Sequence, residues 1–485
     1  MDGLNCNEIQ YSELFPNNTI FRLDAEFFSR ETITIDNKIK DMSCFYLKPQ
    51  EVVSGPFGSS LKSESYLEHG DVPFVRIENI RGGFDINMDN IIYISNADNA
   101  RIKNSQLSIN DIVLSKVGNS IGFFARVDES IGLCNISENN IGIKLSAYSE
   151  EEKHYILTYL NSSYAQKLVL RRTSGNAQPK LNVGDLCYIP IPSFSDNFYK
   201  NISLLIVNSR KLNLKSKQIY YDAEKQLIVA LNIDDLNNKH ENINIKSLVE
   251  SFGCSGRLDA EYYQPKYENF ISVLNKFELT NIPNEFYTFK NSGTDYSEES
   301  CDVGVVKTKQ LTKDGIRLDN IESYFTKETC NKNKSTFIKN KDVIFASMGV
   351  GSLGRASIFT YEGEELFVTD STLKIYRSKE DSRILPEVLC VFLQSVIGQE
   401  LIYRYVVGST GIINIYDEDI AKIPIPILDT SIQEDIAEKV QESFRLRRKS
   451  KELLDIAIKA VEMAIETDEE AALVWLRDMI SHLEV

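Results

Sequence analysis

Arg22-Leu-Asp-Ala-Glu-Phe-Phe28 returns as Arg257-Leu-Asp-Ala-Glu-Tyr-Tyr263, and this pair of stretches decides how the whole chain is read. Ile189-Pro-Ile-Pro192 likewise returns as Ile423-Pro-Ile-Pro426. Between these markers Phe74-Val-Arg-Ile-Glu-Asn-Ile80 aligns with Val305-Val-Lys-Thr-Lys-Gln-Leu311, and Asp111-Ile-Val-Leu-Ser-Lys-Val-Gly118 with Asp342-Val-Ile-Phe-Ala-Ser-Met-Gly349. The offset stays between 231 (305 less 74) and 235 (257 less 22) throughout. A period this long is not a solenoid repeat; it is a duplicated unit. It predicts a pseudo-two-fold molecule with two equivalent working surfaces that have diverged toward two targets.

Within each copy the pattern is strand-rich. Val72–Ile77, Ile91–Ile94, Asp111–Ser115 and Gly122–Val127 are apolar runs broken by Gly, Asn and Asp. A helix is expected over Tyr155–Leu170, behind the acidic run Glu150–Glu152 that suits its N-terminal end. After Pro192 the period changes. Ile202, Leu205, Ser209, Leu212, Ser216, Ile219, Ala223, Leu227 and Ala230 fall on one helical stripe, in a helix of about 50 Å. Ile432, Ile436, Val440, Phe444, Arg447, Lys451, Leu454, Ile458, Val461 and Ile465 form the second stripe. Helices this long seldom stand alone in water, so the two are expected to pair, antiparallel, with the β-rich globules at opposite ends. The fold class is therefore α+β: two mixed α/β domains joined by a pair of long antiparallel helices in a pseudo-two-fold repeat. The expected boundaries are 1–195 for the first domain with its lead-in, 196–232 for the central spacer helix, 233–428 for the second domain, 429–466 for the C-terminal spacer helix and 467–485 for an extension. That extension carries the single tryptophan, Trp475, on an amphipathic turn or two that docks a partner or packs back on the stem.

The 485 residues are 42% hydrophobic and 10% aromatic, enough for ordinary cores, and no run nears the ~18 apolar residues a membrane span needs. Met1–Cys6 lacks the basic-then-apolar order of a signal peptide, and eight cysteines without CxxC spacing read as free thiols in a reducing cytoplasm. The net charge of −16 resists a nucleic-acid role, since phosphate neutralisation supplies much of such affinity. Positive charge must then be local, or come from a partner.

No constellation supports an enzyme. Gly349-Val-Gly-Ser-Leu-Gly354 matches a dinucleotide fingerprint, but Arg355–Tyr361 after it reads as a strand where a helix is required. The aligned Gly118–Gly122 also leads into a strand, so both are hairpin turns. There is no P-loop and no HExxH, none of the four histidines repeats, and no Asn-Pro-Pro-Phe/Tyr methyltransferase signature occurs. Asp24/Glu26 and Asp259/Glu261 sit beside Arg22 and Arg257 and read as structural ion pairs.

What remains suits binding. No acidic residue falls between His154 and Gly184, while Lys307 to Lys341 carries nine Lys/Arg against four Asp/Glu. Amides and guanidinium groups read base edges; lysines and hydroxyls position the backbone. The candidate DNA contacts in the first copy are Arg76, Asn79, Lys116, Asn119, Ser120, Arg171, Arg172, Ser174, Asn176, Gln178 and Lys180. In the second they are Lys307, Lys309, Gln310, Ser347, Ser352, Arg355, Arg404, Ser409 and Thr410. Any one alone would read as a solvated loop; the paired occurrence carries the case.

At these residues the chain resembles a known family. Gly55-Pro-Phe-Gly-Ser-Ser-Leu-Lys62 with Val72–Asn79, Asp111–Gly118 with Ile121-Gly122, and Ala177–Asn182 with Ile189–Pro192 are similar to the target-recognition domain of type I restriction-modification specificity subunits. The second copy keeps Asp342–Gly349 and Ile423–Pro426 but lacks the Gly-Pro-Phe-Gly and Gln-Pro elements. The resemblance covers about residues 50–465. It implies a non-catalytic subunit that reads a split, asymmetric site on double-stranded DNA, one half per domain. It implies that the helical stem recruits two methyltransferase subunits, that S-adenosylmethionine is bound by those partners with no cofactor in this chain, and that motor-nuclease subunits join for restriction. Helix length would fix the gap between half-sites. A targeting subunit of another defence complex, a nucleotide-dependent enzyme using the glycine loop, and a scaffold without DNA affinity are the competing readings.

Overall fold

The computed structural model describes residues 22–482 except 59, 81–83, 89, 176–177, 234–242, 294–295, 313–314, 319–320 and 409–412. The chain divides into two compact units. The first comprises Met1–Lys211 with Lys449–Val485, the second Leu212–Arg448. This division cuts both long helices midway and gives half of each to each unit.

In the first unit, helix Arg30–Asp41 starts at Ser29, whose hydroxyl accepts the Thr32 N–H at 3.4 Å. Strand Cys44–Phe45 then pairs antiparallel with Ile191–Pro192, with Cys44 opposite Pro192 and Phe45 opposite Ile191. Proline has no N–H to give a ladder, and a two-stranded ribbon is where the Ile-Pro-Ile-Pro stretch can sit. The main sheet runs in the order Val52–Ser54, Asn140–Ile143, Ile112–Ser115, Phe124–Arg126, Phe84–Asp85, antiparallel except for the last pair. A second sheet has the order Ile92–Ile94, Val72–Val75, Cys134–Ile136, Gln106–Leu107, with Val72–Val75 parallel to Cys134–Ile136. Val72–Val75, Ile112–Ser115 and Asn140–Ile143 are buried on both faces, which is why they read as continuous apolar runs without alternation. The helix expected over Tyr155–Leu170 is two, Glu150–Leu160 and Ser163–Arg171. The break has a local cause: the Ser162 hydroxyl caps the second helix by accepting from Ala165 N and donates to Tyr159 O at 2.6 Å.

The second unit repeats these parts. Helix Pro265–Leu274 precedes a ribbon of Leu279–Thr280 with Ile425–Pro426. The sheet order is Phe286–Phe289, Leu373–Ser378, Val343–Ala346, Ala356–Ile358. Val303–Val306 lies parallel to Leu366–Thr369, as its counterpart does in the first unit. Helices Pro386–Gln394 and Val396–Arg404 meet at Ser395, which donates to Phe392 O at 2.6 Å. Val343–Ala346 and Ala356–Ile358 pair antiparallel across the Gly349–Gly354 loop, so the glycines serve a hairpin and no helix follows to hold a pyrophosphate.

The long helices are Asp196–Ala230 and Thr430–Glu466, and within each unit the two halves it holds lie antiparallel. In the first unit the Ser209 hydroxyl donates to Ser450 O at 2.8 Å and lies 2.9 Å from Ser450 Oγ. In the second the Ser443 hydroxyl donates to Ser216 O at 2.9 Å and lies 3.0 Å from Ser216 Oγ. Ser209 and Ser443 are repeat equivalents, as are Ser216 and Ser450, so one contact is made twice. The first stripe holds in the main: Ile202, Leu205, Ser209, Ser216, Ala223 and Leu227 are buried, while Leu212, Ile219 and Ala230 are half-buried. The second drifts: Arg447, Leu454 and Ile458 are half-buried and Lys451 exposed, while Ser443, Ser450, Leu453, Ala457, Ala460 and Ala464 are buried. Small side chains let backbones approach, so the seam follows serine and alanine there. The extension is a full helix, Glu469–His482, longer than a turn or two. It packs back on its own unit through Ala472 and Leu476, and Glu469 accepts the Ser195 N–H at 3.0 Å.

Candidate nucleic-acid interface

In each unit the backbone laces two loops together. In the first, Leu181 N–H donates to Lys116 O and Gly118 N–H to Pro179 O, both at 2.9 Å, while Ser174 and Lys180 exchange bonds of 2.9 and 2.8 Å. In the second, Ile415 N–H donates to Ser347 O and Gly349 N–H to Ile413 O, both at 3.0 Å, while Val407 and Asn414 exchange bonds of 3.0 and 2.9 Å. The first loop follows a buried central strand; the second follows helix Ser163–Arg171 or Val396–Arg404. The repeated Arg-Leu-Asp-Ala-Glu stretch anchors the base of the second loop. Arg22 grips both oxygens of Asp24 at 2.6 and 2.7 Å and donates onward to Arg171 O at 3.1 Å and Thr173 O at 2.5 Å. Arg257 grips Asp259 at 2.8 and 2.6 Å and reaches Val406 O at 3.4 Å. The guanidinium groups hold both carboxyls below the usual carboxylate range. These carboxylates are structural, as read.

The first laced pair is basic. Lys180, Ser174 and Gln178 are exposed. Lys116 is half-buried, donates to Ser54 Oγ at 3.0 Å, and has its pKa lowered by burial and then by Lys180. Ser120 lies half-buried in the same loop. At the equivalent places the second pair carries Ser347 and Asn414. Ser352 is half-buried there, donating to Met348 O at 3.1 Å, and Arg355 donates to Gly351 O at 2.6 Å. The Asn119 side chain, Asn176, Ser409 and Thr410 fall outside the described residues.

Several candidates lie elsewhere. Asn79 is fully buried: its Oδ1 accepts Arg76 N–H at 2.9 Å and its Nδ2 donates to Asn87 O at 3.1 Å. Gln310, also buried, accepts Lys307 N–H at 3.0 Å in the same turn of the second unit. Both amides close turns and are not offered to a ligand. Arg171 is buried, bonding Phe27 O at 2.6 Å and Asp36 at 3.0 Å with its guanidinium 4.5 Å from the Phe27 ring. Arg172 is buried against Tyr188. Arg404 bonds Tyr262 O at 3.2 Å and stacks on Tyr262, as Arg171 does on Phe27. Arg171 and Arg404 hold their helix ends to the repeated motif, and Arg172 ties its own to Tyr188; cation–π stacking and carbonyl acceptors repay their desolvation. Ser347 is buried and donates to Thr372 O at 3.0 Å. Arg76 is half-buried, bonding Asn90 O at 3.1 Å and pairing with Glu78; Lys307 sits 4.3 Å from the Tyr296 ring and Lys309 pairs with Glu322.

The sequence reading missed four amides. Asn161 donates to Phe124 O at 3.1 Å and Gln166 to Gly122 O at 2.5 Å; Gln394 donates to Ala356 O at 2.6 Å and Gln399 to Gly354 O at 2.8 Å. Their signal was present: Asn161-Ser-Ser-Tyr-Ala-Gln166 and Gln394-Ser-Val-Ile-Gly-Gln399 align at the repeat offset. Among the described residues no group of three or more His, Cys, Asp or Glu is placed to hold a metal, and no helix is long and apolar enough to cross a membrane. The seven cysteines among the described residues are free thiols.

Fold and site together give two matching units, each of which carries one laced loop pair. Residues 274–455, almost wholly in the second unit, match the family model of the type I restriction modification DNA specificity domain. Among solved structures, the type I restriction-modification S subunit from M. genitalium is similar at 11% identity, covering 91% of this chain and 96% of its own, with a TM-score of 0.32. The HsdS subunit from Thermoanaerobacter tengcongensis shows 10% identity, 89% and 96% coverage and a TM-score of 0.26. A structure describing assembly and conformational transition of the type I R-M system shows 11% identity, 88% and 98% coverage and a TM-score of 0.28. At those scores the likeness adds nothing to the argument. No curated protein matches significantly.

Proposed function

We propose that this chain is the DNA sequence-recognition subunit of a type I restriction-modification complex. It reads a bipartite, asymmetric site, one half per unit, and is itself non-catalytic. Two methyltransferase subunits, recruited to the helical stem, bind S-adenosylmethionine and carry out the methylation; motor-nuclease subunits complete the restricting complex, in the cytoplasm. The observation that carries the reading is the pairing of a specificity-domain match in the second half with the same laced loops in both. In the first unit Lys116 and Lys180 position the phosphate backbone, while Ser174 and Gln178 present hydroxyl and amide to base edges. In the second, Ser352, Arg355 and Asn414 take these places. Partner subunits offset the chain's acidity on the DNA.

The test is co-expression with a type I methyltransferase subunit in a host lacking its own, followed by mapping of methylated adenines. The reading expects methylation confined to one two-part motif. Methylation without a motif, or none with an intact complex, would count against it.

A further inference from the structure

Each hairpin loop of a laced pair is held by two amide side chains from the neighbouring helices, and the device occurs twice. In the first unit Asn161 Nδ2 donates to Phe124 O at 3.1 Å, while Gln166 Nε2 donates to both Gly122 O at 2.5 Å and Leu160 O at 2.7 Å. In the second, Gln394 Nε2 donates to Ala356 O at 2.6 Å, and Gln399 Nε2 to both Gly354 O at 2.8 Å and Leu393 O at 2.6 Å. The glycines are fitted to this grip. Gly122 has φ +100° and Gly354 φ +88°, and at each an added Cβ would run into the Oε1 of the gripping glutamine.

A surface amide has no reason to choose the same carbonyl twice. These do, with each glutamine spanning the last turn of one helix and the exit of the loop. The gripping helix is also the one whose C-terminal end, Arg171 or Arg404, launches the second laced loop. Helices Ser163–Arg171 and Val396–Arg404 therefore touch both loops of their pair, one through an amide and one through the chain. They fix the spacing between the two.

We infer that Gln166 and Gln399, with Asn161 and Gln394 behind them, are positioning residues for DNA recognition, each pair setting the fidelity with which its own unit reads its half-site. They act through the loops and do not touch DNA. The inference rests on the function proposed above, and two measurements separate the two ideas.

Gln166→Leu and Gln399→Leu remove the donated hydrogen bonds; Gln166→Glu and Gln399→Glu remove them while keeping the side-chain shape, and serve if the leucine variants fail to fold. Hydrogen exchange on the full-length chain, without DNA, reads the grip itself. Gln166→Leu should speed exchange over 118–123 and leave 350–356 at the parental rate, with the reciprocal result for Gln399→Leu. Adenine methylation by the complex with its methyltransferase reads the consequence. Each variant should relax discrimination by roughly tenfold at one half-site and leave the other at parental fidelity, a split that general loosening of the fold would not give. Unchanged exchange, parental fidelity in both halves, or equal loss in both halves overturns the inference while leaving the proposed function standing. A parental complex that reads no bipartite site overturns both.

Discussion

His154 shows how much a single buried side chain can decide. Arg126 Nη1 stands 3.4 Å from its Nε2, and because arginine only donates, Nε2 must accept. The other nitrogen then carries the proton and donates to Ser203 Oγ at 2.8 Å, so the ring is neutral. Burial, then Arg126, lowers its pKa from 6.5 to about 4. Below pH 6.5 the unfolded chain therefore takes up a proton that the folded chain refuses. Stability contributed at neutral pH is lost as pH falls toward about 4 and changes no further below it. The slope is at most about 1.4 kcal/mol per pH unit, roughly 3 kcal/mol in all. Denaturant midpoints between neutral pH and pH 4 should show this loss in the parent and a flatter curve in His154→Gln; identical curves would contradict it. Lys116 and Lys180 make a second prediction at this scale. If they contact phosphates, replacing both by alanine should shrink the slope of log affinity against log salt by about 2. Replacing Ser347 and Asn414, their neutral counterparts, should leave the slope unchanged. Residue identity alone hid the difference between these lysines and Arg171 or Asn79. All are polar and near a loop, but only burial tells which are already committed to the fold.

At the scale of the element, the long helices were legible because a period near 3.5 over ten turns leaves little choice, and their bounds fall within a residue or two of the expected ones. The seam was legible only in part. A reading that follows large apolar residues carries Arg447, Lys451 and Leu454 onto the stripe, whereas the helices meet where side chains are small. The single helix expected over 155–170 failed for a comparable reason, since one serine hydroxyl suffices to end a helix and start another. The serine contact gives a test. Ser443→Leu overpacks the second unit's seam and should cost about 1–3 kcal/mol, while Ser443→Ala gives up one hydrogen bond and should cost about 1 kcal/mol. Hydrogen exchange over 212–230 and 430–448 should rise in both variants and more in the leucine one; a leucine variant as protected as the parent would show that the helices do not meet at this serine.

For the whole molecule, duplication was the most readable feature, because a constant offset needs no knowledge of structure. It foretold matching sheets, ribbons and helix pairs. It could not foretell how far the copies have diverged, since the positions held by Lys116 and Lys180 in one copy are held by Ser347 and Asn414 in the other. That divergence is what the asymmetric target proposed above would require. The direct test of the two independent readers proposed here exchanges residues 46–190 for the corresponding segment of a type I specificity subunit and maps the methylated adenines made by the resulting complex. One half of the motif should change to that of the donor and the other half should stay as it was; a change in both halves, or in neither, would contradict the account.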